Sequence, residues 1–346
     1  MSKINLIGKT ELELIELMQS LNQAAFKGKQ LFKWIYHNRR YDFSAMTDLS
    51  IDIRQKLEAG FELETITAEK IQISEDGTRK FLFRLHDDNP IEAVLIPDEN
   101  KRNTLCVSSQ AGCALGCTFC ATGTMGLLRN LTVGEIVGQL MYVRDELGDD
   151  AFSNVVFMGM GEPLDNYQIV VEALEIMFSA TGLNISPKKV TVSTSGITPK
   201  IKKLAESGLK PRLAISLHAA TQEKRLKIMP VARTFKLDKL IGAVKYYREI
   251  TGTRVTFEYI LFEGFNDRKE DVRALSKLLG RISCQVNLLA YNPVESLDFK
   301  RPDEDNINIF ASALVKNKLT VTVRKSRGLD IDAACGQLAA KELIRN

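Results

Sequence analysis

With 346 residues, 45% of them hydrophobic and 26% charged, the chain has an ordinary globular composition, enough for one large domain or a catalytic domain with an appendage. A net charge of +4 is too small to argue for a polyanionic partner on its own. The start, "MSKINLIGKTELELIELM", carries acids and lacks an apolar secretory core, and no apolar run is long enough to span a bilayer. These features predict a cytoplasmic protein without a membrane partner, in which six cysteines point to metal or catalysis rather than a disulfide framework.

Residues 1–60 read as a small helical accessory domain. "TELELIELMQSLN" has apolar residues at helical spacing, and "KGKQLFKWIYHNRRYDFSAM" is basic and aromatic together. On one helix Lys29, Lys33, His37 and Arg40 would share a face, with Leu31, Trp34 and Ile35 toward the other side. Such a face is either simply solvated or a contact for nucleic-acid phosphates. Residues 61–100 read as a small β linker segment, since "RKFLFRLHDDNPIEAVLIP" alternates and turns like a hairpin.

From 101 to 346 short β-rich runs alternate with helical stretches: "TLCVSS", "NVVFMG", "KVTVSTS", "RLAISLH", "RVTFEYILF", "QVNLLAYN" and "LTVTVRKS". The first helix is framed by a capping box, Thr132 with Glu135, and by Gly148, around an apolar stripe of Ile136, Val137, Leu140 and Met141. Strands alternating with helices predict a parallel sheet. Nearly every strand ends on polar or glycine-rich residues: Ser108–Gln110, Gly159–Glu162, Ser193–Ser195, Ser216–His218, Asn287 with Asn292, and Arg324. In a doubly wound sheet the ligand crevice draws on fewer strand ends, so this pattern predicts an α/β fold of the barrel or open partial-barrel kind.

"SQAGCALGCTFCATG" places Cys113, Cys117 and Cys120 in a C-x3-C-x2-C pattern directly after the first of these strands. A structural zinc site wants four ligands, usually in two close pairs, and no second pair exists, because Cys284 and Cys335 each stand alone. Three thiolates at a barrel mouth fit a [4Fe-4S] cluster, whose fourth iron is then open to a small molecule. "GMGEP" after the next strand fails as a dinucleotide fingerprint, because the third glycine is missing. Cys106 and Cys335 would reach the same mouth if the barrel closes as argued. Each alone reads as a small buried hydrophobe, a reading that Arg324, Lys325 and Arg327 weaken by favouring thiolate and phosphate.

The cysteine pattern and "GMGEP" resemble the radical S-adenosylmethionine (SAM) superfamily, which implies a [4Fe-4S] cluster and SAM as cofactors. In that superfamily the open iron takes the amino and carboxylate groups of SAM, and one electron splits SAM to give a 5′-deoxyadenosyl radical. Almost end to end, the chain further resembles the RlmN/Cfr family of radical SAM RNA methyltransferases. The motifs carrying this are "LCVSSQAGC", "GCTFCATG", "RNLTVGEI", "FMGMGEPLDN", "VTVSTSGI", "LAISLHA", "RLKIMPV", "LLAYNP" and "RKSRGLDIDAACGQLA". The resemblance moves the Lys29/Lys33/Arg40 face toward RNA contact, and implies a radical SAM partial (β/α) barrel with an N-terminal accessory domain.

It also implies a mechanism. The target adenine carbon lies between two nitrogens and is too electron-poor to attack a sulfonium methyl, so a carbon radical has to add to the ring instead. By the family's pattern Cys335 takes a methyl group from one SAM, loses hydrogen to the radical made from a second, and joins to the base. Cys106 then releases the product, and the resulting Cys106–Cys335 disulfide is reset by a reductant. Cys113, Cys117 and Cys120 match the cluster ligands. Gly161, Glu162, Ser193, Ser216, Leu217, His218 and Asn292 match positions that contact SAM, and Glu92 matches the proton acceptor, although by itself it reads as a solvated acid on a hairpin. Pro163 and "RKSRG" resemble the RlmN type, which methylates C2 of an adenosine in 23S rRNA and, in some members, C2 of a tRNA anticodon-loop adenosine; Tyr291 departs from the Trp often found there. The alternatives are the Cfr type, acting at C8, and a radical SAM enzyme acting on a protein or metabolite. A non-enzymatic iron–sulfur protein would have no use for "GMGEP" or the two mouth cysteines. The implied partners are 23S rRNA, tRNA, a flavodoxin-like electron donor and a thiol reductant, with the chain acting as a monomer.

Overall fold

The computed structural model describes residues 3–100, 102–295 and 297–339. Its framework is a ten-stranded sheet. Strands β1 (Ala68–Ile73), β2 (Arg79–Arg84) and β3 (Pro90–Ile96) run antiparallel to one another, and β3 pairs antiparallel with β4 (Thr104–Cys106). From β4 the sheet continues in parallel through β5 (Asn154–Phe157), β6 (Val190–Thr194), β7 (Arg212–Ser216), β8 (Val255–Leu261), β9 (Cys284–Ala290) and β10 (Val321–Arg324).

The order of these strands in space is their order in the chain, so the sheet never reverses as a doubly wound sheet would. Nor does it close, because β10 and β1 are its two edges. This is the partial barrel that the strand ends called for. All seven β-rich runs became its parallel strands, and the hairpin segment extends the sheet by three more. The parallel strands are largely apolar through their centres, as in Leu213–Ile215 and Tyr259–Leu261, because helices cover the outer face while side chains fill the inside.

Three helices, Glu11–Ser20, Ala25–Tyr36 and Ile51–Gly60, make up the N-terminal unit. The second buries Leu31, Phe32, Ile35 and Tyr36 and leaves Lys29 and Lys33 exposed. It stops at Tyr36, with His37 as its exposed cap, so Arg40 is not on the helix as its spacing suggested. The cause is Arg39, which takes a left-handed φ of 47° and turns back to pair with Asp145 and Asp149 at 2.7 and 2.6 Å.

The helical unit is welded to the barrel. Its Leu14, Leu31 and Ile35 belong to the same apolar cluster as the helix-covered outer face of the sheet. Ile7 and Gly8 lie on the first turn of the helix Val133–Leu147, whose capping box between Thr132 and Glu135 forms as expected. The approach is so close that a Cβ on Gly134 would stand 2.6 Å from the Ile7 carbonyl oxygen. Gly134→Ala should therefore destabilise the protein by about 1–3 kcal/mol, since backbone on both sides has to give. A urea midpoint equal to that of the wild type would show that this seam is not rigid.

Candidate active site

The carboxyl ends of the parallel strands surround a cavity of about 250 Å³. Of the residues singled out in the sequence, Cys106, Cys113, Cys117, Cys120, Gly161, Glu162, Ser193, Ser216, His218, Asn292 and Cys335 line it. Leu217 and Glu92 do not. Leu217 points into the core, wholly buried. Cys284, left as a core residue by its sequence, lies in the core at the start of β9.

The cysteine loop is held from three directions. Behind Cys113, Gln110–Gly112 pairs with Leu127–Asn130, and the Cys113 N–H donates to the Gly126 carbonyl at 2.8 Å. Beside Cys117, the Thr118 N–H donates to the carbonyl of Ile228 at 3.0 Å. After Cys120, the Ala121 N–H donates to the Gly336 carbonyl at 2.8 Å and the Thr122 hydroxyl to the Leu338 carbonyl at 2.5 Å. That last pair of bonds brings the segment bearing Cys335 against the loop. Asn292 holds the same segment from the other side, its amide donating to the Cys335 carbonyl at 3.1 Å while its oxygen accepts from Ser326 at 2.6 Å.

The donor set suits a cluster. Burial pushes the Cys113 thiol up to about 12, and Cys117 and Cys120 rise for the same reason. Buried thiols of this kind ionise when a cation binds to them, and iron is such a cation. Among the described residues no three His, Cys, Asp or Glu side chains converge as they would around a single metal ion. A cluster takes one thiolate per iron and so accepts wider-set sulfurs.

Opposite the cysteines, Gly161 takes a φ of 99°, and a Cβ there would lie 2.6 Å from that of Gln110. Only glycine lets the turn sit on the cysteine strand in this way. Next to it, Glu162 is buried and accepts from the Ser195 N–H and hydroxyl, both at 2.8 Å, and from the Leu164 N–H at 3.1 Å. Burial raises its pKa, and these bonds work against that rise. The carboxylate thus ties the end of β5 to the end of β6.

His218 has a left-handed φ of 52°, held by Asn266, whose amide donates to the His218 carbonyl at 2.7 Å. The Ile260 N–H donates to its Nδ1 at 3.1 Å, so the ring proton belongs on Nε2. Burial, helped by the charge of Arg225, lowers its pKa to about 3. Cys106 is buried on β4, its thiol pushed up to about 12 by burial and by Cys335. Cys335 is exposed at the mouth; the surrounding protein, Cys120 and Glu258 raise its thiol, and Arg324 lowers it.

Glu92 sits one layer back on β3, buried, with Lys80 Nζ at 3.2 Å and the Ala339 N–H at 3.0 Å on its carboxylate. It touches the Cys335-bearing segment rather than the cavity wall. Sequence reasoning missed a second carboxylate that does line the wall, Glu258 on β8. Its register neighbours are Ser216 and Asn287, and the Asn287 amide donates to it at 2.9 Å. Inside an otherwise apolar strand, "VTFEYIL", the lone acid was the available signal.

Residues 4–63 match the family model described as the ribosomal RNA large subunit methyltransferase N-terminal domain, and residues 107–276 match the radical SAM superfamily. The chain is 46% identical over 332 residues to a probable dual-specificity RNA methyltransferase RlmN of Geobacillus kaustophilus, covering 95% of this chain and 91% of the relative. A protein of the same description from Flavobacterium psychrophilum is 45% identical, with 92% of each chain covered. The chain belongs to the RlmN family. A solved radical SAM methyltransferase from Sphaerobacter thermophilus superimposes with a TM-score of 0.91 at 40% identity, over 97% of this chain and 99% of that one. The family resemblance read from the motifs is therefore shown, and with it the radical SAM methyltransferase fold.

The environment of His218 has a measurable consequence. A folded-state pKa of about 3, against 6.5 for the free side chain, means that the unfolded chain takes up the proton first as pH falls. The stability from keeping His218 neutral is complete above the unfolded value and is lost on acidification, by about 2 kcal/mol at pH 5. Between pH 7.5 and 5 the wild type should lose that much more unfolding free energy than His218→Gln, as read by denaturant titration. Parallel losses in the two proteins would exclude a buried neutral imidazole.

Proposed function

We propose that this protein methylates C2 of an adenosine in 23S rRNA, and C2 of an anticodon-loop adenosine in tRNA, through a methyl group carried on Cys335. The observation that carries the reading is the meeting of Cys106 and Cys335 in one cavity with Cys113, Cys117 and Cys120. The two substrate classes rest on the relatives described as dual-specificity RNA methyltransferases.

In this reading Cys113, Cys117 and Cys120 hold a [4Fe-4S] cluster, and Gly161, Glu162, Ser193, Ser216, His218 and Asn292 form the SAM site, with the Leu217 side chain behind it in the core. When bound, these groups supply a one-electron cleavage that produces a hydrogen-abstracting radical. The remaining steps belong to the chain. Cys335, exposed and beside Arg324, gives up its proton and takes the sulfonium methyl by displacement. After hydrogen loss, its sulfur-bound carbon radical adds to the adenine. The adduct radical gives up one electron, which the cluster would take back when bound, and Glu92 accepts the ring proton. The Cys106 thiolate then attacks the Cys335 sulfur, so that the carbon–sulfur bond breaks, the leaving carbon takes up a proton to become the methyl group, and a disulfide forms. A thiol reductant resets the pair and a flavodoxin-like protein supplies the electrons, with the enzyme acting as a cytoplasmic monomer. The exposed Lys29 and Lys33, with Arg40 beyond the helix, supply phosphate contacts. Among the described residues no helix is long and apolar enough to cross a membrane.

Mass spectrometry of the purified protein should find Cys335 methylated, and Cys106→Ala should carry RNA bonded to Cys335. Digesting that RNA identifies the adenosine and the carbon joined; a bond at C8 would instead assign the Cfr-type reaction. An unmodified Cys335 without RNA, in protein that holds its cluster, would point to a radical enzyme for a protein or metabolite. Separately, Cys117→Ala should retain the fold by circular dichroism but lose the cluster's visible absorbance and its bound iron. Iron content equal to that of the wild type would remove Cys117 from the ligand set.

A further inference from the structure

The run "RLKIMPV" begins with Arg225, which none of the steps above uses. It heads the largest of the side chains wholly shut off from solvent, at 0% exposure. Its Nε donates to the Leu217 carbonyl at 3.3 Å, and its Nη2 donates to the carbonyls of Ser195 and, at 3.3 Å, Ser216. One guanidinium thus gathers the ends of β6 and β7. Its fork geometry suits that task, which a lysine could not reproduce.

The other edge of the group is not accounted for. Nη1 is buried and has no hydrogen-bond partner among the described residues. Glu162, a carboxylate whose charge acts on Arg225, already has its oxygens on Ser195 and Leu164. A buried cation without a compensating charge is costly, and such an edge calls for an anionic or polar group in the space beside it. The helix bearing Arg225, Gln222–Ile228, is bonded to the cysteine loop: the Ile228 carbonyl accepts from the Thr118 N–H and hydroxyl at 3.0 and 3.5 Å. Thr118 directly follows Cys117.

We propose that Arg225 is a positioning residue for the cluster. It binds the strand-end carbonyls with one edge and leaves the other to the negatively charged assembly of cluster and thiolates, so that it favours the reduced state. This rests on the reading that Cys113, Cys117 and Cys120 hold a [4Fe-4S] cluster. Reduction adds one electron from an external donor and leaves the assembly more negative by one charge. A fixed buried cation stabilises that state over the oxidised one. The mutual influence of the Arg225 and Cys117 charges agrees with this placement.

The test is a dithionite titration with redox mediators on the full-length, anaerobically reconstituted protein, followed by electron paramagnetic resonance, with melting temperature measured alongside. In Arg225→Gln the ratio of reduced to oxidised cluster at the wild-type midpoint should fall about tenfold, equivalent to about 59 mV for one electron. Arg225→Lys, which keeps the charge, should stay within about twofold of the wild type. A Gln variant that melts earlier but titrates like the wild type would leave Arg225 a carbonyl clamp only, and overturn the proposal. If that variant takes up no cluster, the wild type grown with nitrogen-15 arginine decides. A hyperfine coupling from arginine nitrogen on the reduced cluster is expected, and its absence overturns the proposal. A wild type that binds no cluster at all would instead refute the cluster reading on which this inference stands.

Discussion

The hydrogen bonds from Ala121 and Thr122 to the carbonyls of Gly336 and Leu338 join two stretches of chain more than 200 residues apart, as the 216-residue separation of Thr122 and Leu338 shows. One stretch carries the three closely spaced cysteines and the other carries Cys335. Everything proposed for the cavity depends on that join, because a thiol meant to receive a group and then lose hydrogen has to stay within reach of the place where the radical forms. The bonds use backbone carbonyls, so they fix the path of the segment while leaving the Cys335 side chain free at the mouth. Asn292 and Gln337 reinforce the path, the latter by donating to the Pro293 carbonyl at 3.0 Å.

The barrel accounts for how such distant stretches can meet. A singly wound parallel sheet sends every strand's carboxyl end to the same side, so β4, β5, β6, β7, β8 and β9 each deliver a polar residue to one rim. Because the barrel stays open, the chain beyond β10 can pass back across that rim instead of being shut out by a closing strand. The antiparallel strands β1 to β3 occupy the edge beside β4 and carry Glu92, which bonds the returning segment at Ala339. Openness and enclosure are thus divided between the two ends of one sheet.

Most of this was legible in the sequence where one residue type has one job. The β-rich runs announced the strands because parallel strands buried on both faces need continuous apolar residues. The C-x3-C-x2-C spacing announced the loop because few chemistries ask for three adjacent thiols. Less could be read where the meaning depends on a partner far away. Arg40 looked like part of a basic helical face until Arg39, drawn to Asp145, ended the helix early. Glu258 was one acid within an apolar strand, and its place on the cavity wall depends on the register of β7, β8 and β9. Arg225 lay in a quoted motif, yet its three carbonyl partners belong to two other strand ends.

The electrostatics of the cavity follow one rule, that loss of water shifts its titratable groups toward their neutral forms, against which a charged partner works. The cysteine thiols are raised, His218 is lowered, and Glu162 and Glu258 are raised, in each case chiefly by loss of water. Such a site is poor at ionising anything alone, which guards exposed Cys335 against stray alkylation and oxidation. A cationic ligand changes the balance at once. Within the proposed chemistry iron ionises the thiols it binds, and a sulfonium close to Cys335 would add to the pull of Arg324 at the moment when a thiolate is needed. In the proposed reaction the thiol is therefore activated by the arrival of its own methyl donor, and the low polarity of the cavity makes that coupling strong.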